Sequence, residues 1–248
     1  MRSVLLGDLV VGGAPILLAT ALAPSVAEML DGAKRAREAG ADCVELRVDR
    51  LPNAEDVASL IDAVGFPHLV ACRTPQFGGF FEGSESERID RLEAAIRAGA
   101  SAVDIEFFTE PDLRDRLIST AKADGTPVLV GYENMQETQA IEMLIEGIEA
   151  VAALGPDLVK LAVRAQSHAD LLTVLEAAFR MREILDVPFA AIALGPHGAP
   201  SRPIALAFGA SFTYCAAEAG GAPGQLTVAE TREVLETVSV ERWSCSSS

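Results

Sequence analysis

Aromatic side chains are scarce in this sequence, at 5% of 248 residues, while half of the residues are hydrophobic. Aliphatic side chains must therefore fill the core. Positive charge is also in short supply: 20 Lys and Arg stand against 36 Asp and Glu, for a net charge of −16. Nucleic acid and anionic membrane surfaces would repel such a chain, which argues against both as partners. An anionic substrate would need local arginines to overcome the global field. Cys43, Cys72, Cys215 and Cys245 show no CxxC spacing and no metal-ligand rhythm, so neither a metal site nor a disulfide framework is expected. The first three lie in apolar runs and read as buried thiols of a reducing compartment. No segment has the roughly 18 uninterrupted apolar residues of a membrane span. Residues 1–23 loosely resemble a secretory signal, with one arginine and a small-residue pattern at Ala21-Leu22-Ala23. Asp8 and Gly12-Gly13-Ala14-Pro15 interrupt it, and cleavage there would delete a run the fold needs. The expected location is the cytoplasm. Neither a GxGxxG turn nor a P-loop follows the first apolar run, which weakens an open doubly wound nucleotide-binding sheet.

What is present is a repeat. Short apolar runs at Ile16–Leu22, Cys43–Val48, Leu69–Arg73, Ala102–Phe108, Pro127–Tyr132, Leu158–Val163, Phe189–Leu194 and Phe212–Ala217 alternate with helical patterns. Most runs are apolar on both faces, as buried parallel strands should be. Ala27–Ala39, Glu85–Ala98 and Thr138–Leu154 each lead to a glycine (Gly40, Gly99, Gly155), a helix stop signal, and His168–Leu185 leads to Pro188. Eight strand–helix alternations predict an α/β fold, a (β/α)8 TIM barrel, as one catalytic domain over 1–248. Met1–Gly13 falls outside the repeat and is expected to cover the barrel bottom as a hairpin. Ser244–Ser248 reads as a flexible end.

In such a barrel the site lies at the C-terminal ends of the strands. Lys160 stands out. The chain has three lysines; Lys34 and Lys122 lie on polar helix faces, whereas Lys160 sits in Leu158-Val159-Lys160-Leu161-Ala162-Val163. Burial lowers a lysine pKa, and a neutral amine attacks carbonyls. The alternative is a lysine paired with a carboxylate as a plug in one layer of the barrel. Glu45, Arg47 and Asp49 alternate with apolar residues, which sends all three to one face. That face is expected to be the barrel interior, where three charges require mutual pairing or a polar ligand. Arg73 and Arg202 are expected to point into the same mouth, where guanidinium forks suit a carboxylate or vicinal hydroxyls, and this arginine set favours the Schiff-base reading of Lys160. Gln225, in Ala222-Pro223-Gly224-Gln225, offers an amide there. Glu106 and Tyr214 also stand near strand ends.

Taken together, Glu45-Leu46-Arg47-Val48-Asp49, Arg73 with Gly78-Gly79, Glu82-Gly83-Ser84, Val103-Asp104-Ile105-Glu106, the Lys160 segment, Ser201-Arg202 and Ala222-Pro223-Gly224-Gln225 resemble type I 3-dehydroquinate dehydratase over about Val10 to Val238. The resemblance implies an imine-forming Lys160, a polar group on the first strand near Thr20, and Glu45, Arg47 and Arg73 holding ring hydroxyls. It implies a carboxylate clamp of Arg202 and Gln225, a cyclic hydroxy-keto carboxylate as substrate, no cofactor and a homodimer. Three positions depart from the pattern: Glu133 stands where the general acid/base histidine belongs, Phe77 where a glutamate orients that histidine, and Gly221 where a serine precedes the clamp loop. The first two make sense as one change. A carboxylate has no tautomer to fix, and Phe77 should desolvate Glu133 and raise its pKa toward working pH. His197 is a remote third candidate for the proton shuttle, while His68 and His168 read as structural or solvated.

Two functions follow from these residues. One is a Schiff-base lyase that removes water from 3-dehydroquinate or a close relative, with Glu133 as base. The other is a barrel that binds the ligand but has lost the chemistry. Retention of Lys160 favours the first; loss of the histidine favours the second.

Overall fold

In the computed structural model, which describes residues 1–218 and 224–238, residues 4–11 form an antiparallel hairpin of β1 (Val4–Leu6) and β2 (Leu9–Val11). The barrel strands follow: β3 (Ile16–Leu22), β4 (Cys43–Arg47), β5 (His68–Ala71), β6 (Val103–Glu106), β7 (Val128–Asn134), β8 (Leu158–Arg164), β9 (Phe189–Leu194) and β10 (Phe212–Cys215). They pair in parallel in the order β10-β3-β4-β5-β6-β7-β8-β9. The ring is nearly closed. Between β9 and β10 the backbone link is the Ser211 N–H donating to the Phe189 carbonyl at 2.7 Å, and α7 (Ser201–Ala207) packs on both strands. The remaining helices are α1 (Val26–Glu38), α2 (Ala54–Val64), α3 (Glu85–Arg97), α4 (Pro111–Asp124), α5 (Ile141–Ala153), α6 (His168–Ile184) and α8 (Val228–Val238). Ser25, Ser84 and Ser167 cap α1, α3 and α6 by accepting from the backbone N–H three residues on, which satisfies donors that a helix start otherwise leaves unpaired. The expected stop glycines Gly40, Gly99 and Gly155 all adopt positive φ. Among the described residues no helix is long and apolar enough to cross a membrane.

Strand parity divides the core in two. Outward residues such as Leu17, Val44, Val70, Val103, Val130, Leu161 and Ala191 pack with the helices in one cluster. Inward residues Leu18, Cys43, Leu69, Leu129, Leu158 and Phe212 form a second cluster with Val4, Leu6 and Val11. The hairpin therefore stoppers the barrel bottom, as its apolar alternation requires. Above that apolar layer the inward positions turn polar: Glu45, Asp104, Lys160 and Tyr214 are all buried. Dry aliphatic packing below confines the buried charges to the upper half of the barrel. The tail Ser244–Ser248, Cys245, and Gly221, Ala222 and Pro223 of the clamp loop lie outside the described residues.

Candidate active site

Lys160 sits on β8, inward and 4% exposed. Its register partner on β7 is Gly131. A Cβ at Gly131 would lie 3.1 Å from Lys160 Cε and 2.9 Å from Glu133 Oε1, so glycine keeps the space that the ammonium group occupies. Lys160 Nζ donates to Asp104 Oδ2 at 2.6 Å and contacts Glu133 Oε1 at 2.7 Å. The neutral amine expected from burial alone is not the resting state. Burial and the nearby Arg73 charge pull the Lys160 pKa down, but Asp104, Glu133 and Glu45 outweigh them and leave it above the ordinary lysine value. The amine is held as an ammonium ion by carboxylates that its own sequence segment does not contain.

Arg73 shapes the same network. It lies just beyond β5 and turns into the barrel. Its guanidinium meets Asp104 at 2.6 Å, Glu106 at 2.9 Å, Glu133 at 2.8 Å and Glu45 at 3.8 Å. Arg88 of α3 reaches the other Glu106 oxygen at 2.7 Å and also the Cys72 carbonyl. The expected field of arginines open to the mouth is thus largely neutralised from within: Arg73, Arg88 and Lys160 face Glu45, Asp104, Glu106 and Glu133, all buried. Glu133 is pinned between two cations. Burial pushes its pKa up, but Arg73 and Lys160, by charge and by hydrogen bonds, pull it down to about 2. This reverses the expected rise toward working pH: Phe77 does line the pocket beside Glu133, yet the cations decide the shift.

Glu45 and Arg47 separate. Thr20 Oγ1 donates to Glu45 Oε2 at 2.9 Å. Arg47 instead makes a two-bond fork to Asp49, with Nε to Oδ1 at 2.8 Å and Nη2 to Oδ2 at 3.0 Å. Asp49 is not an interior strand residue, because β4 ends at Arg47 and a 3-10 turn over Val48–Arg50 follows. There its carboxylate also accepts from the Phe80 backbone N–H at 3.0 Å, tying the loop after β5 to Arg47. Arg202, on α7, is 4% exposed. It donates to the Gly224 and Tyr214 carbonyls at 3.1 and 3.0 Å. Among the described residues no carboxylate lies within ion-pair distance of it, and burial lowers its pKa. Gln225 donates to the Cys215 carbonyl at 2.9 Å.

A pocket of about 710 Å³ opens at the C-terminal ends of the strands, and Thr20, Glu45, Arg47, Arg73, Glu133, Lys160, Arg202 and Gln225 all line it. The eight residues assigned to catalysis or substrate binding from the sequence are therefore brought to one cavity. His197 is not among its lining residues; it is exposed and stacks edge-on with His168, ring centroids 5.1 Å apart. His68 is buried at the opposite end, held by the Phe66 carbonyl and Ser101. The residue missed is Asp104, the shortest partner of both Lys160 and Arg73. Its signal was legible: Asp104 and Glu106 share the parity that sends Glu45 inward.

The profile of the family described as Type I 3-dehydroquinase matches residues 18–242. The chain belongs to that family. Among its curated relatives, the 3-dehydroquinate dehydratase of Methanothermobacter thermautotrophicus is 35% identical over 210 residues, covering 84% of this chain and 90% of the relative. That of Salmonella typhimurium is 31% identical over 246 residues, covering 95% and 98%. The crystal structure of 3-dehydroquinate dehydratase from Geobacillus kaustophilus superimposes with a TM-score of 0.90 over 98% of each chain at 24% identity, and so shares the barrel. In this family member Lys160, Glu45, Arg47, Arg202 and Glu133 line one pocket.

Proposed function

We propose that this type I 3-dehydroquinase family member removes water from 3-dehydroquinate through an imine on Lys160, as a single catalytic domain that uses no cofactor. The observation that carries the reading is Lys160 at the base of the pocket with two carboxylate oxygens within 2.7 Å. Those carboxylates hold the amine as a cation at rest and are placed to take its proton when a ketone arrives, which frees the lone pair for attack. The resulting iminium is an electron sink. A proton leaves the carbon beside it, the electron pair shifts toward nitrogen, and the returning pair expels the β-hydroxyl, which picks up that proton and departs as water; a second water then hydrolyses the imine and frees Lys160. Glu133 takes that first proton; its carboxylate is ionised and lies beside the nitrogen where the new C=N bond forms.

Arg202 supplies the reading of the substrate's charge. A buried guanidinium without a counter-ion is costly, and a substrate carboxylate completes it, with Gln225 as the neighbouring amide. Thr20, Glu45, Arg47 and Arg73 face ring hydroxyls. The reading includes a homodimer, supported by Leu172 and Phe179 on α6, which are 67% and 48% exposed, and a cytoplasmic setting, supported by the buried free thiols Cys43, Cys72 and Cys215. The test is direct: elimination converts the ketone to a conjugated enone, whose ultraviolet absorbance should grow on adding 3-dehydroquinate. One observation favours the second reading, a binder without turnover. Glu133 is held near pKa 2, which makes it a weak base in the free protein. An adduct on Lys160 with no enone would select that reading.

A further inference from the structure

Tyr214 is an inward residue of β10, 5% exposed, and it lines the pocket with Lys160 and Glu45. The Lys160 Nζ lies 5.4 Å from the centre of its ring. Its hydroxyl has no hydrogen-bond partner among the described residues. A buried hydroxyl without a partner is costly, and phenylalanine would fill the same space without that loss. The other donors near Lys160 are engaged. Arg73 and Lys160 donate to Asp104, Glu106 and Glu133, and Thr20 donates to Glu45. Carboxylates line the rest, and ionised they only accept. Among the described residues, Tyr214 is the neutral donor beside Lys160 that has no acceptor.

We propose that the Tyr214 hydroxyl is a catalytic hydrogen-bond donor to the oxygen of the carbonyl that Lys160 attacks; this rests on the imine reading above. When the amine adds, the C–N bond forms and the carbonyl π pair moves to oxygen, which becomes negative. Tyr214 holds that oxygen. The C–O bond then breaks with help from the nitrogen lone pair. Of the three Nζ protons, two leave on the departing water, relayed by the carboxylates beside the amine, and one stays on the iminium. Tyr214 keeps its own proton throughout. That fits its setting: burial, and the charges of Glu45 and Asp104, hold the phenol well above its ordinary pKa, so it donates a hydrogen bond and does not ionise. In a barrel whose proton-transfer position carries an ionised glutamate with no proton to offer, the phenol supplies the donor that the carbonyl oxygen needs.

The experiment is Tyr214→Phe, read by quenching with borohydride at timed intervals after mixing with 3-dehydroquinate and weighing the protein. The adduct should form about 10²–10³-fold more slowly than in wild type, the range for losing one donor to a developing oxyanion. The melting temperature of the ligand-free variant should be unchanged or raised, because an unpaired hydroxyl has been removed. Adduct formation at the wild-type rate overturns the proposal and leaves the imine reading standing. A melting temperature lowered by several degrees also overturns it, because the hydroxyl then has a structural partner. If wild type itself forms no adduct, the imine reading falls and takes this proposal with it.

Discussion

At the scale of single residues, position and protonation state were not equally legible. Lys160 stood out in the sequence because one charge in an apolar run has few places to go. Asp104 was readable by the same parity argument that placed Glu45. The protonation states were not readable, because they depend on side chains that meet only when the barrel closes. Lys160 is kept charged by Asp104 of β6 and Glu133 of β7, and Glu133 is kept ionised by Lys160 and Arg73. This changes what the pH profile should show. The kcat/KM profile reports the free enzyme's ionisations. With Glu133 at about 2 rather than its usual 4.5, wild type should show no acidic limb from this residue between pH 4 and 6. A limb there that disappears in Glu133→Gln would contradict the assignment of the shift. The same variant should still form the Lys160 adduct but release enone about 10²–10⁴-fold more slowly, the usual worth of a general base. Arg202→Ala removes the one buried guanidinium at the mouth that lacks a carboxylate among the described residues. It should weaken binding of the parent acid by about 2–5 kcal/mol but leave the affinity of an analogue without the carboxylate almost unchanged, as measured by calorimetric titration.

At the scale of elements, β3 and β9 were legible to the residue because their apolar runs end on turn residues. The polar strand ends were less so. Ala102–Phe108 shortens to Val103–Glu106, and Leu69–Arg73 gives way to His68–Ala71. In both, the strand ends at or shortly before a residue of the charged network, Glu106 in one and Arg73 in the other. Asp49 also leaves its expected strand: a 3-10 turn ends the alternation after Arg47. At Gly131 strand and site constrain each other, since a methyl group there would press on both Glu133 and Lys160. Gly131→Ala should cost roughly 1–3 kcal/mol of stability, the range for overpacking, and slow adduct formation. Denaturant midpoints and timed borohydride quenching check both parts. A variant with wild-type values for both would mean that the ammonium is not confined there.

Across the whole molecule, the fold followed from counting alternations and the site from asking which strand positions face inward. What the sequence left open was the balance of charge. A chain with a net charge of −16 does not gather free arginines at the mouth; it surrounds Arg73 with carboxylates and, among the described residues, leaves Arg202 without one. Stability should register the same arrangement. Glu133 is depressed in the folded protein, so its ionised form stabilises the fold above about pH 4.5, and that contribution is lost as pH falls through about 2. Wild type should therefore lose denaturant resistance more steeply over this window than Glu133→Gln. The central claim, that this family member works through an imine on Lys160, is tested most directly by borohydride trapping in the presence of 3-dehydroquinate followed by peptide mapping. One adduct on Lys160, absent in Lys160→Ala, is the result expected. An adduct undiminished in Lys160→Ala, or no adduct in a protein that still produces enone, would contradict it.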